Sequence, residues 1–385
     1  MKISFIWYNT SWIAEKEGIK VFDKKLLKNF DWGLLIVVLL ISIYSVIVVT
    51  SASHVIQTGS YKKVIVQSAA ILIGLISIAL ICLFDYNILA KFSTFIYILN
   101  LFGLVLVLAT GKVSNGAQSW ISLGPVDIQP SEFSKLALVL TLANMFSKTE
   151  EIKTFKELLW PMVYVGIPFI AVMLQPDLGT GLVFIAIFLA IVYISGIRTK
   201  VLGQLFALGI ALLPIGYKLL KPYQRNRLLS FLNPELDPMG TGYHVIQSKI
   251  AIGSGMFWGK GLFHGSQTQL YYLPEAWTDF IFSVVGEELG FIGASILIVL
   301  YAIMLYKAWK IAYNAKDKYG MLVAVGIIAM FTFHIFENIG MTIGIMPITG
   351  IPLPFMSYGG SAMVADLMAI GLLENISMRR QKINF

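Results

Sequence analysis

Cysteine is almost absent from this 385-residue chain: Cys82 is the only one, and it lies inside an apolar run. A disulfide framework and a cysteine-based metal site are excluded by that count. Histidine is scarce too. His54, His244, His264 and His334 show none of the HxxxH or HExxH spacings that place zinc ligands on one helix face. Charge is the third shortage, with 13% charged against 57% hydrophobic residues and a mean hydropathy of +0.78. A soluble domain of this size carries roughly a quarter charged residues. The composition is therefore that of an integral membrane protein, of a length that suits one polytopic domain. There is no low-complexity tract and no repeat of fixed period. The apolar patch 3–8 is too short for a signal peptide and charges follow it. The net charge of +8 does not call for nucleic acid, because Lys and Arg in a membrane protein mostly mark the cytoplasmic side.

What is abundant is apolar sequence in runs near the ~20 residues a bilayer requires. They predict an all-α bundle of about ten transmembrane helices, at 32–52, 64–84, 92–110, 132–147, 158–175, 179–196, 201–219, 279–306, 321–343 and 355–376. Nineteen Lys and Arg fall in the segments on one side of these runs, against Lys62, Lys63 and Lys112 in the short loops on the other. That imbalance predicts both termini in the cytoplasm. The expected organisation is a cytoplasmic segment 1–31, a membrane domain 32–376 with a large extracytoplasmic loop 220–278, and a cytoplasmic tail 377–385. In the loop, 221–242 reads as turns, and 243–252 as a short helix lying on the membrane surface.

The chemistry-bearing residues crowd the outer side. Asp279 stands where a polar, Pro-broken loop becomes a long apolar run, and a carboxylate there needs a partner, a proton or a task. Locally, Thr278 and Asp279 are also good helix N-caps, and on local sequence alone the cap is favoured. Asp177, in Gln175-Pro-Asp-Leu178, divides evenly between cap and function. In 115–132, Trp120 suits an interface anchor, and Ser131 and Glu132 open a helix after Pro130. Glu132 and Lys135 are spaced to pair on one helix face, pointing inward. Glu287 and Glu288 lie two turns or more beyond Asp279 on the same helix, on the order of 12–14 Å deeper, and read as a structural bridge. The Pro- and Gly-rich segment 344–361 reads as an irregular outer loop and a closely packed helix start.

Four stretches taken in order go beyond composition: GAQSWISLGPVDIQPSE, QPDLGTG, GYHVIQSKIAIGSG through TDFIFSVVGEELG, and NIGMTIGIMPITGIPLPFMSYGGSA. They resemble the SEDS family (shape, elongation, division and sporulation) from about residue 32 onward, and its rod-shape branch more than its division branch. The resemblance implies a peptidoglycan glycosyltransferase that polymerises lipid II at the outer face of the bacterial cytoplasmic membrane, beside a class B penicillin-binding protein. It implies Asp279 as the essential aspartate of the Thr-Asp-Phe motif, and Trp120 and Glu132 as further important positions. One departure is Trp277, where the family often has His.

On that reading Asp279 acts as general base, or as a metal ligand. The leaving pyrophosphate needs positive charge nearby. Lys221, Arg225, Arg227, Lys249 and Lys260 are the loop's candidates for substrate contact. A divalent cation, Mg or Mn, would be oxygen-ligated, because the loop offers carboxylates and no thiols; its ligands are left open. The alternatives are a lipid II transporter, suggested by broken helices and intramembrane carboxylates, and a non-enzymatic scaffold of a cell-wall complex.

Overall fold

A computed structural model describes residues 26–54, 58–114, 117–123, 126–233 and 240–380. The basic lead-in expected at 1–31 and the tail expected at 377–385 therefore lie largely outside the described residues, as do 234–239.

Apolar composition over the predicted runs produces helices in the predicted order. They are α1 (Trp32–Ala52), α2 (Lys62–Leu83), α3 (Tyr86–Thr110), α4 (Pro130–Ser147), α5 (Lys156–Leu174), α6 (Leu178–Ile194) and α7 (Thr199–Leu219). The long loop carries α8 (Pro222–Leu232) and α9 (Thr241–Ser254), and α10 (Ile281–Tyr313), α11 (Lys318–Ile343) and α12 (Gly360–Met378) follow. Eight of these are long and apolar enough to cross a membrane. The other two at predicted spans are α6, which is one residue short of that length, and α4, whose apolarity Glu132 and Lys135 dilute. Between α3 and α4 a small antiparallel sheet forms, in the order β1 (Lys112–Ser114), β2 (Ala117–Leu123), β3 (Val126–Ile128).

The centre of the bundle is α11, which packs on α4, α6 and α10, with the mostly buried α12 behind it against α2. Close approach depends on missing side chains. Gly326 of α11 lies against Val139 of α4, and Gly371 of α12 lies against Ile78 of α2. At the end of the bundle near residue 31, Asp31 caps α1 by accepting from Leu34 N, pairs with Lys307 at 2.9 Å, and donates its own N–H to Glu374.

Several expectations need correction. The run beginning at 355 is not helical until Gly360; Phe355 at its start adopts φ 58°, off the helical conformation. Residues 351–359 instead enter the bundle as irregular chain with a turn at 354–356. Their carbonyls are satisfied from far away in sequence: Tyr301 Oη donates to Pro354 O (2.6 Å), Ser45 Oγ to Met356 O (2.7 Å) and Gln67 Nε2 to Ser357 O (3.1 Å). Irregular backbone inside a membrane bundle is stable only with such cover. The turn-rich reading of 221–232 gives way to α8, with Pro222 in its first turn. The helix expected to lie on the membrane surface, now α9, packs against α10 and α11 through Val245, Ser248 and Ala251, and Ser248 Oγ donates to Thr342 O.

The largest revision concerns α10. Gly290, at φ 64°, breaks it, a conformation that costs a glycine little. The strand of chain 255–261 is hydrogen-bonded into the break: Lys260 N and Gly261 N donate to the carbonyls of Glu287 and Glu288, and Phe291 N donates to Met256 O. Glu288 accepts from Ser51 Oγ (2.7 Å), in the last turn of α1. Both glutamates lie on the uninterrupted turns 281–289, ahead of the break, and act as structural ties. Glu288 bridges to α1, while Glu287 accepts from Gln267 N, Thr268 N and Lys260 Nζ and so closes the loop 260–269 over itself.

Candidate functional site

A cavity of about 190 Å³ opens where α4, α6, α8, α11 and α12 meet the loop before α10. Chain segments far apart in sequence supply its polar wall: Trp120 from β2, Glu132 and Lys135 from α4, Asp177 and Thr180 from the start of α6, Arg227 from α8, Asp279, and His334 from α11. The rest is backbone-rich chain, Thr349–Pro352 and Tyr358–Gly359.

Pro130 starts α4 and leaves Glu132 in its first turn, so Lys135 rises beside it one turn on. Their ion pair is 2.7 Å long, with both side chains no more than 3% exposed. Lys135 Nζ also stands 3.3 Å from His334 Nε2. A buried cation is thus held by a carboxylate on one side and an imidazole on the other, at the cavity wall.

The structure separates the two aspartates, each of which local sequence left as cap or functional group. Asp177 is a helix cap: it accepts from Thr180 N (3.0 Å) and Thr180 Oγ1 (2.8 Å) at the start of α6. Asp279 is not. The residue before α10 is Phe280, which gives no side-chain cap, and Thr278 Oγ1 turns back to Glu275. Asp279 is held by its backbone, whose carbonyl accepts from Asn338 Nδ2 at 2.9 Å while the same amide donates to Ile351 O at 2.8 Å. Across from it, Gly350 adopts φ 78°, and a Cβ there would stand 3.4 Å from Asp279 Oδ2. The loop backbone thus closes directly on the carboxylate.

Burial pushes the Asp279 carboxyl up to about 6, with Glu275 and Asp177 adding to the rise and Arg227 opposing it. Burial raises Asp177 as well, against its bonds to Thr180. A carboxylate tuned toward neutrality suits proton transfer. The group is basic only when ionised, so turnover should fall as pH drops through about 6. A rate profile over pH 4.5–8.5 with purified protein checks this. An acid limb displaced to the ordinary carboxylate range near 4 would remove Asp279 as the group responsible.

The other loop cations lie elsewhere. Arg225 is about 200° around α8 from Arg227; it covers Tyr217 and donates to the carbonyls of Tyr217 and Lys218, closing the end of α7. Lys221 precedes α8 and is exposed. Lys249 is on the exposed side of α9. Lys260 is committed to Glu287 at 3.0 Å, because a buried carboxylate requires a counter-charge. His334, which carries no zinc spacing, is placed at the site by tertiary structure. The signal was available: a lone imidazole in the apolar run of α11 is by default functional. Trp277 does not line the cavity; its ring lies under Lys63 Nζ, 3.3 Å from the centroid. Among the described residues no three His, Cys, Asp or Glu side chains converge as a metal-ligand set.

Residues 31–382 match a family described as "Cell cycle protein", covering FtsW, RodA and SpoVE. The chain is 37% identical over 357 residues to the peptidoglycan glycosyltransferase MrdB of Escherichia coli K12, across 92% of this chain and 95% of that protein. It is 42% identical over 309 residues to stage V sporulation protein E of Bacillus subtilis, across 79% and 84%. Its structure is similar to a chain from a peptidoglycan synthase complex that coordinates polymerization and crosslinking, with a TM-score of 0.78, 33% identity and coverage of 91% and 98%. It is also similar to the rod shape determining protein RodA of Thermus thermophilus, with a TM-score of 0.68, 27% identity and coverage of 92% and 98%.

Proposed function

The chain belongs to the FtsW/RodA/SpoVE family of multi-pass membrane proteins, and from that membership we infer that it is a peptidoglycan glycosyltransferase that polymerises lipid II. The observation that carries the chemistry is the convergence of Asp279, Lys135 and Arg227 on one cavity. Asp279 takes the proton from the acceptor sugar's 4-hydroxyl as its oxygen attacks the anomeric carbon of a second lipid-linked disaccharide. The new glycosidic bond forms as the bond to the polyprenyl pyrophosphate breaks, and that group leaves with the electron pair. Arg227 and the Glu132-held Lys135 face the charge that develops there. With one well-placed base, direct displacement with inversion needs no covalent intermediate. Trp120 and Glu132 shape the wall against which the sugars lie.

A divalent cation, Mg or Mn, fits this wall as one shared with the substrate rather than caged by protein. Mg in particular takes one or two carboxylates together with phosphate oxygens, and Asp279, with Asp177 on the same wall, would hold it. When bound it would neutralise charge on the leaving pyrophosphate.

Purified protein supplied with lipid II in detergent tests the activity, with and without a co-expressed class B penicillin-binding protein. Glycan strands on a gel support it. Absence of polymer in both arms, with transport of lipid II in sealed vesicles, would establish the transporter reading instead. A stable complex with such a transpeptidase is expected in mild detergent. The cellular role supported by the rod-shape wording of the motifs is elongation and shape maintenance.

The orientation proposed is cytoplasmic termini and an extracytoplasmic 220–278. Ser266 is exposed in that loop and Glu150 in the loop after α4. Cysteines placed there should label oppositely with an impermeant thiol reagent on intact cells, at 266 and not at 150. The reverse pattern overturns the orientation. Ser377, in the last turn of α12, is 1% exposed and would not report.

A further inference from the structure

We propose that the exposed ring of Tyr271, with Trp277 beside it, forms a saccharide-binding platform outside the cavity, a subsite on which the growing glycan strand lies between additions. This rests on the polymerase reading. The imidazole of His54, 4% exposed, stacks under Tyr271 with ring centroids 3.9 Å apart, and meets Trp277 edge-on at 6.5 Å. The Tyr271 side chain is 57% exposed, so one face is supported and the other is free.

The backbone is strained to achieve this. His54, Tyr271 and Glu275 adopt φ of 55°, 63° and 49°, a left-handed conformation uncommon outside glycine. Such strain persists only where surrounding contacts hold it, and it gathers at functional sites. Here Leu273 and Ala276 are buried as anchors, and Gln269 Nε2 donates to Ser51 O and Ser51 Oγ. An aromatic that only anchors the protein at the lipid interface needs no such backbone.

The platform is continuous with the cavity. Tyr358 N donates to Trp277 O at 2.8 Å and Ser357 Oγ to Thr278 O at 2.6 Å, and Thr278 and Tyr358 both line the cavity. The cavity itself, about 190 Å³, is smaller than the ~300–1,000 Å³ of pockets that enclose a drug-sized ligand. A strand of several sugars must therefore lie outside it. A pyranose presents a flat C–H face and a rim of hydroxyls, which matches the amphipathic ring of Tyr271, while Lys63 Nζ over the neighbouring Trp277 ring adds a charged head beside it.

The probe is a lipid-free, peptide-free glycan of alternating N-acetylglucosamine and N-acetylmuramic acid, bound to the purified full chain in detergent and followed by saturation-transfer NMR. Tyr271→Gly removes the ring and relieves the left-handed strain, so the fold is kept; Tyr271→Phe keeps the ring. Tyr271→Gly should weaken glycan binding at least about fivefold and shorten the strands made from lipid II, while Tyr271→Phe should match the parent in both. Unchanged binding and strand length in Tyr271→Gly overturn the proposal, and so does equal loss in both variants. If Tyr271→Gly alters only insertion or melting temperature, the ring is an interface anchor and the platform is wrong. A parent that binds the glycan yet makes no polymer refutes the polymerase reading instead.

Discussion

Asp279→Asn is expected to lower lipid II polymerisation by at least about 10²-fold, the lower end of what a positioned general base contributes, while the protein folds and inserts normally. The amide keeps the size of the side chain and cannot take a proton at neutral pH. Stability should not suffer. The folded-state carboxyl is raised to about 6, so its favourable contribution is complete below the unfolded value near 4 and is lost as pH rises through 6. At pH 7 the parent therefore holds an ion at a cost that Asn does not carry, and Asp279→Asn should melt no lower than the parent. Because α10 draws no side-chain cap from residue 279, loss of a cap cannot explain a loss of activity. Asp279→Glu is a finer probe, since a misplacement near ~1 Å can itself cost on the order of 10²-fold. Gel-resolved glycan from folded variants, with melts alongside, decides the matter. Near-normal polymer from Asp279→Asn would sink the assignment.

Glu132→Ala is expected to be the most destabilising single change at the site. It strands Lys135, 2% exposed, without its carboxylate, and breaking a buried ion pair costs about 3–5 kcal/mol. His334 Nε2 at 3.3 Å is a weaker partner for a cation than a carboxylate. Removing both charges together should behave differently, because apolar side chains of similar volume often replace a buried pair at little cost. Glu132→Leu combined with Lys135→Met is therefore expected to recover the melting temperature and still make little or no glycan, since the charge facing the leaving group is gone. Thermal unfolding in detergent and the polymerisation assay separate the two effects. If the double variant polymerises normally, the pair is scaffolding and Lys135 has no part in the chemistry.

What the sequence by itself determined follows from the solvent. A bilayer requires long apolar helices with every backbone group satisfied, and this leaves a mark on each segment independently of the others. The helices were legible for that reason, down to Pro130 opening α4 and the i,i+3 pairing of Glu132 with Lys135. The four motif stretches likewise identified the family. Where short-range signals ended, so did the reading. The cap preference for Asp279 rested on its immediate neighbours, but Asn338, 59 residues away, holds its carbonyl, and Asp177 proved to be the capping residue. A single unbroken helix over 279–306 ignored Gly290, whose φ of 64° is paid for by hydrogen bonds with the chain at 256–261. The entry of 351–359 into the bundle depends on Ser45, Gln67 and Tyr301. Arg227 and Arg225 are alike in sequence, and only the turn of α8 decides which one faces the cavity. In each case tertiary structure decided, because a buried polar group is stable only with a partner, and here the partners are distant residues that local sequence does not name.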